Sequence, residues 1–249
     1  MNAKTVLITG VSSGIGRALV NDYLSRGDVV YGVSRRTPSD IEFPERFAFA
    51  TLDLTEHERV RSVIDRLLTD VTKLDLVTLN AGQLTTIADM RQTTLATLQK
   101  QMDVNVWANK TLLDTLFEKW EVRQVVAISS GASINGNRGW NGYAISKAAL
   151  NMAIKLYAHE MPSTHFAAVA PGLVETAMQA YLCGLPNDER YPLVSNLKAR
   201  RGTSEMPAPA QISPKLISFF DWLLHHIPSG EFVDIRDVAW DSAETTALS

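Results

Sequence analysis

The chain has 249 residues, 45% hydrophobic and 20% charged, which suits one large α/β domain with a sizeable core. A net charge of −3 excludes a global electrostatic case for nucleic acid. No basic segment precedes a long apolar stretch at MNAKTVLITG, no apolar run approaches the ~20 residues of a membrane span, and the one cysteine, Cys183, has no internal partner, so a reducing, cytoplasmic setting is expected.

Thr5 to Thr9 reads as a strand, bounded by Gly10, and Gly14 to Arg26 as a helix with Ile15, Leu19 and Tyr23 on one face. Val29 to Val33 and Phe47 to Leu52 are further strands, followed by a helix from Glu56 to Leu68 and a strand from Leu74 to Leu79. Thr94 to Trp120 is long and helical. The apolar run in Arg123 to Ile128 suits a strand buried on both faces. Tyr143 to Glu160 is helical, His165 to Ala170 a strand, Ile212 to His226 a helix and Glu231 to Ile235 a last strand. Such alternation predicts a doubly wound parallel sheet with helices on both faces. One domain over residues 1–241 is expected, with a flexible tail at 242–249. Residues 177–209 hold several prolines and read as an irregular substrate lid.

Thr9 to Gly16 is TGVSSGIG, between the first strand and the first helix. Backbone N–H groups at a helix N-terminus attract anions, and glycine lets a pyrophosphate approach closely. Gly10, Gly14 and Gly16, with Ser12, Ser13 and Ile15, form this cradle, although the spacing is not the general G-x-G-x-x-G. Tyr143 and Lys147 are four residues apart on a predicted helix and share a face. A tyrosine is protonated at neutral pH and can donate to a developing alkoxide; lowering its pKa by ~3 units, about 4 kcal/mol, is within reach of a nearby ammonium. Ser130 ends a buried strand, where α/β proteins present side chains to ligands.

TGVSSGIG, Asn80-Ala81-Gly82 after the fourth strand, Ser130, YAISK at Tyr143 to Lys147, and Pro171-Gly172 occur in one order along the chain. Together they resemble the short-chain dehydrogenase/reductase family. The resemblance implies a single Rossmann-type domain with about seven parallel strands. It implies Tyr143 as general acid/base, Lys147 as its pKa modifier and ribose ligand, Ser130 as the carbonyl-orienting hydroxyl and Asn105 as support for a proton relay. Ser129 and Ser133 stand as alternatives to Ser130, and a helix-stabilising side chain as the alternative for Asn105. For the cofactor, it implies Asn80, Ala81 and Gly82 beside the adenosine, Asp53 and Leu54 flanking the adenine, and Pro171, Gly172, Val174 and Thr176 on the nicotinamide side. Homodimers or homotetramers are implied too, with Leu112, Leu113, Leu116, Phe117, Leu150 and Leu156 as surplus apolar surface.

The second strand ends VVYGVSRRT. NAD-binding proteins usually carry an acid at this end to accept from the ribose 2′-hydroxyl. Ser34 stands there, followed by Arg35 and Arg36, whose guanidinium groups can pair with a 2′-phosphate. NADP(H) is the expected cofactor, and no metal is expected. VVYGVSR, APGLVETAM and HHIPSGEFVDI are similar to the sepiapterin-reductase and benzil-reductase group, which implies reduction of a small-molecule ketone or dicarbonyl. Met178, Tyr181, Leu182, Tyr191 and Trp140 are candidate substrate contacts. An alcohol dehydrogenase working in the oxidative direction and a non-catalytic NADP(H) sensor remain open alternatives.

Overall fold

Apolar side chains alternate along the strands, and this decides the layering. In β1 (Thr5–Thr9), Leu7 enters one core while Val6 and Ile8 enter the other. The computed structural model describes residues 3–237 and 240. β1 pairs in parallel with β2 (Val29–Ser34), which pairs with β3 (Phe47–Thr51). On its other side β1 pairs with β5 (Leu76–Leu79), then come β7 (Gln124–Ile128), β8 (His165–Ala170) and β9 (Glu231–Asp234). The resulting sheet has seven strands, all parallel, in the order β3-β2-β1-β5-β7-β8-β9. The order reverses between β1 and β5, and ligands of open α/β sheets bind at such a switch point, beyond the strand C-termini.

One face is covered by α1 (Gly14–Ser25) and α9 (Pro209–His226), which bury Leu19, Tyr23, Phe219 and Phe220 against Val6, Ile8, Val126 and Val169. The other is covered by α2 (His57–Leu67), α4 (Ala108–Phe117) and α6 (Asn141–Glu160), which bury Ile64, Leu112, Leu116, Leu150 and Ile154 against Leu7, Val77, Val125 and Phe166. At about 25 cal/mol per Å² of apolar surface removed from water, these two cores are the main favourable term in folding.

Several expectations change in detail. The segment read as one strand from Leu74 to Leu79 is split: β4 (Lys73–Leu74) turns away to pair with β6 (Glu121–Val122), and only β5 joins the main sheet. The long helix is interrupted. α3 (Leu95–Met102) leads into a π-helical turn at Asp103–Trp107 and then α4, with the carbonyl of Asn105 accepting from Asn109 Nδ2 at 2.9 Å. Residues 177–209 are not irregular. They contain α7 (Ala177–Gly184) and α8 (Pro192–Arg200). The prolines misled the sequence reading: Pro192 and Pro209 occupy helix starts, where a missing N–H costs nothing. Most of the leucines read as association surface are core: Leu112, Leu113, Leu116 and Leu150 are buried, and Leu156 is exposed. The expected tail at 242–249 lies outside the described residues.

Candidate active site

A cleft of about 840 Å³ runs along the C-terminal edge of the sheet across the switch point. Its floor begins with the turn after β1. Gly10 has φ of +76°, and a Cβ at Gly16 would strike the carbonyl oxygen of Gly10 and lie 2.5 Å from Asn80 Nδ2. Only glycine allows α1 to start this close to β1. Asn80 locks the turn from the neighbouring strand: its Nδ2 donates to the carbonyls of Thr9 at 2.9 Å and Gly10 at 3.3 Å. Thr9 Oγ1 in turn accepts from the backbone N–H groups of Asn80 and Ala81. Ser12, Ser13, Gly14 and Ile15 line the cleft, whereas Gly16 does not and serves the close packing. Ser13 is the N-cap of α1, and its side chain makes no capping bond.

At the outer end of the cleft, Ser34 is buried and its hydroxyl donates to the carbonyl of Arg36 at 2.6 Å, which shapes the turn. Arg35 and Arg36 are exposed on the cleft wall. Asp53 and Leu54 follow β3 along the same wall, and Asp53 Oδ1 accepts from the N–H and hydroxyl of Thr55. Burial acts to raise this carboxyl, but the Thr55 bonds and the Arg35 charge prevail and hold it below its ordinary value. Lys100 and Asp103 complete this end. Asn80, Ala81 and Gly82 form the middle.

The inner end is assembled around α6. Tyr143 lies in its first turn, and Lys147 one turn on, with Nζ 5.8 Å from the Tyr143 ring centroid. Lys147 is buried and donates to the carbonyl of Ile128, at the end of β7, at 2.7 Å. Burial lowers its ammonium to about 8. Burial pushes the Tyr143 phenol up, with the Ser130 hydroxyl opposing. Ser130 Oγ accepts from Ala132 N–H at 3.1 Å, which leaves its own O–H to donate. The alternatives are engaged elsewhere: Ser129 donates to Asn151 Oδ1 at 2.5 Å, and Asn151 Nδ2 donates to Ser133 at 2.9 Å.

Asn105 does not line the cleft. Its side chain braces the segment after β5, accepting from Gln83 N–H at 2.9 Å and donating to Gln83 carbonyl at 3.0 Å and Ser146 Oγ at 2.9 Å. Ser146 in turn donates to the Tyr143 carbonyl. Pro171, Gly172, Val174 and Thr176 form the wall after β8, and a Cβ at Gly14 would lie 3.4 Å from Thr176 Cγ2, across the cleft mouth. Trp140, Met178, Leu182 and Leu197 line the cleft, while Tyr191 is packed behind it with Val194 and Met206, and Tyr181 faces solvent. Sequence reasoning missed Lys100, Gln179, Arg200 and Arg236, all of which line the cleft. Arg236 was within reach, because it lies just beyond the C-terminus of a parallel strand. The other three depend on how separate helices pack.

The glycine cradle, the neighbouring helix N-terminus and the length of the cleft fit a dinucleotide. Among the described residues no cluster of metal-ligating side chains occurs, and no helix is long and apolar enough to cross a membrane.

Comparison with known proteins agrees with this arrangement. A benzil reductase, (S)-benzoin forming, of Saccharomyces cerevisiae is 34% identical over 71% of this chain and 73% of its own length. A benzil reductase of Bacillus subtilis is 28% identical over 93% of this chain and 98% of its own. The crystal structure of a short-chain dehydrogenase/reductase from Saccharomyces cerevisiae superposes with a TM-score of 0.82 at 25% identity, covering 98% of this chain and 99% of the other. The family profile described as short chain dehydrogenase matches residues 4–183. That span runs from the first strand past the glycine turn, Ser130, Tyr143 and Lys147, and by it the chain belongs to the short-chain dehydrogenase family of oxidoreductases.

Proposed function

We propose that this protein reduces a small-molecule ketone or vicinal dicarbonyl to the alcohol, with NADPH as reductant and Tyr143 as proton donor. The observation that carries the reading is the placement of Tyr143 and Lys147 on one face of α6, beside Ser130 and at the switch point of the sheet. Relatives named as benzil reductases support the carbonyl chemistry. The exposed guanidinium groups of Arg35 and Arg36 on the cleft wall, with Ser34 in place of an acid, support NADPH over NADH.

When bound, the cofactor supplies a hydride, two electrons and a proton together, to the carbonyl carbon. The glycine turn and Ser12 to Ile15 would hold its pyrophosphate, Arg35 its 2′-phosphate, Asp53 and Leu54 its adenine, and Val174 and Thr176 its carboxamide. Ser130 donates its free O–H to the substrate oxygen and fixes its direction. Tyr143, kept protonated by burial, transfers its phenolic proton to that oxygen as negative charge develops there. The ammonium of Lys147 stabilises the phenolate left behind, and solvent returns the proton. Lys147 spends one of its three donors on Ile128, so two remain for ribose hydroxyls. Asn105 acts as a positioning residue through Gln83 and Ser146. The helices α7 and α8, clamped to Trp140, form the substrate lid.

The test is NADPH oxidation with a panel of diketones, benzil first, followed at 340 nm, where the reduced cofactor absorbs (a property of NADPH, not of this protein). Consumption of NADPH with formation of the hydroxyketone is the expected result. Tight NADPH binding without turnover of any carbonyl would instead support the sensor.

A further inference from the structure

The cleft is lined by an arginine, held in a charged pair, that the proposed chemistry leaves unused. Asp234, the last residue of β9, is buried, and its carboxylate takes Nε of Arg236 at 2.8 Å and Nη2 at 2.6 Å. The backbone N–H of Arg236 closes the turn onto the same carboxylate at 3.0 Å. Two parallel bonds fix the plane of the guanidinium on a side chain that is itself half-exposed. The pair consumes two of its five N–H donors.

The guanidinium lies beside Gly131, next to Ser130 in sequence. Around the Cβ position of Gly131, Asn135 Nδ2 lies at 3.4 Å, Asp234 Oδ2 at 3.6 Å and Arg236 Nη2 at 3.7 Å. The Arg236 stem passes Gly172 in the wall after β8, with Cδ 3.4 Å from the Cβ position there. Arg236 and Asn135 both line the cleft. Two donor-bearing side chains, Asn135 and the Arg236 of the ion pair, therefore stand beside the residue that follows Ser130. Asp234 is the acid at this end, its carboxylate taken up by Arg236, while the acids lining the cleft, Asp53 and Asp103, belong to the outer end.

Building on the reductase reading, we propose that Arg236, assisted by Asn135, determines specificity by binding a second oxygen acceptor adjacent to the carbonyl being reduced, so that the preferred substrates are 1,2-dicarbonyl compounds. Two sources carry that chemistry, a 1,2-diketone and a 2-oxo carboxylate. Each places an acceptor one bond from the reacting carbonyl. A simple ketone leaves the donors without a partner, and sites built to hydrogen-bond a substrate group discriminate strongly against analogues that lack it.

The experiment compares benzil, benzoylformate and deoxybenzoin as a diketone, an oxo acid and a monoketone of related shape. Steady-state KM and kcat are measured with saturating NADPH for the unmodified protein, for Arg236→Lys, and for the double variant Arg236→Gln with Asp234→Asn. The double variant replaces the ion pair by a neutral hydrogen-bonded pair and so avoids a buried unpaired carboxylate. The unmodified protein is expected to favour a dicarbonyl over deoxybenzoin. In the double variant KM for that dicarbonyl should rise about tenfold to a hundredfold, the worth of a charge-assisted hydrogen bond, with a much smaller rise for deoxybenzoin and little change in kcat. A rise confined to benzil identifies the diketone, and one confined to benzoylformate identifies the oxo acid; either supports the proposal. If the double variant does not fold by circular dichroism, the same selective rise is required of Arg236→Lys, which keeps the charge but loses the fork. An equal rise for all three compounds, or no preference of the unmodified protein for a dicarbonyl, overturns the inference and leaves the reductase reading intact. Failure of every compound to oxidise NADPH overturns both.

Discussion

The two ends of the cleft are built by different means. The outer end is made of turns that directly follow β1, β2 and β3: those after β2 and β3 are held by bonds close at hand, Ser34 to Arg36 and Thr55 to Asp53, and that after β1 by Asn80 from the neighbouring strand. The inner end gathers Ser130 from the end of β7, Tyr143 from α6, Met178 and Leu182 from α7, and Arg236 from beyond β9. These are joined by a small core in which Trp140 meets Leu182, Val194, Leu197 and Met206. The outer end therefore depends on short turns and one amide from the neighbouring strand. The inner end depends on how separate helices pack above the strand ends.

If the division is real, variants at the two ends should fail in different ways. The largest effect is expected inside. Tyr143→Phe removes one hydroxyl from a side chain that keeps its packing, so NADPH affinity by titration should be retained while kcat falls by about 10²–10⁴. Turnover near the unmodified rate would refute the assignment. At the outer end the pattern should invert. Arg35→Ala should weaken NADPH binding about tenfold to a hundredfold and leave NADH nearly unaffected, because only the 2′-phosphate calls on the guanidinium. Equal affinities of the unmodified protein for the two cofactors would remove the basis of the NADP assignment.

Lys147 joins the two ends, and pH should reveal it. Its ammonium is charged below about 8 and becomes neutral above. NADPH affinity should therefore weaken as pH rises through 8, by up to about tenfold for the next unit, and Lys147→Gln should flatten that dependence. The weakening begins at the lysine's value in the free protein and ends at the higher value it takes with cofactor bound. The smallest effect on chemistry is expected at the surface. Ile145, Met152 and Leu156 lie exposed along one face of α6, seven and then four residues apart. We expect homodimers or homotetramers through this face. Leu156→Glu should shift the species seen by light scattering toward monomer while kcat stays within a few fold. A monomeric unmodified protein at micromolar concentration would rule this out.

What the sequence by itself determined was the doubly wound architecture and the family. Period-2 and unbroken apolar runs mark the strands, and TGVSSGIG, YAISK and Ser130 sit where strand ends must meet a ligand. Those features are legible because each depends on neighbours within a few residues. The splitting of Leu74 to Leu79 was not legible, because β4 owes its separate pairing to β6, nearly fifty residues away. Nor was the setting of Asn105. Its amide could have faced the cleft or the backbone, and only the approach of Gln83 and Ser146 decides which bonds it makes. The prolines between residues 177 and 209 read as breaks, yet tertiary packing on Trp140 stabilises two short helices that propensity alone would leave marginal. Arg236 is the sharpest case. As a residue in sequence it is one more charged side chain near a chain end, and it becomes a directed donor only when β9 docks beside β8 and Asp234 clamps it next to Gly131.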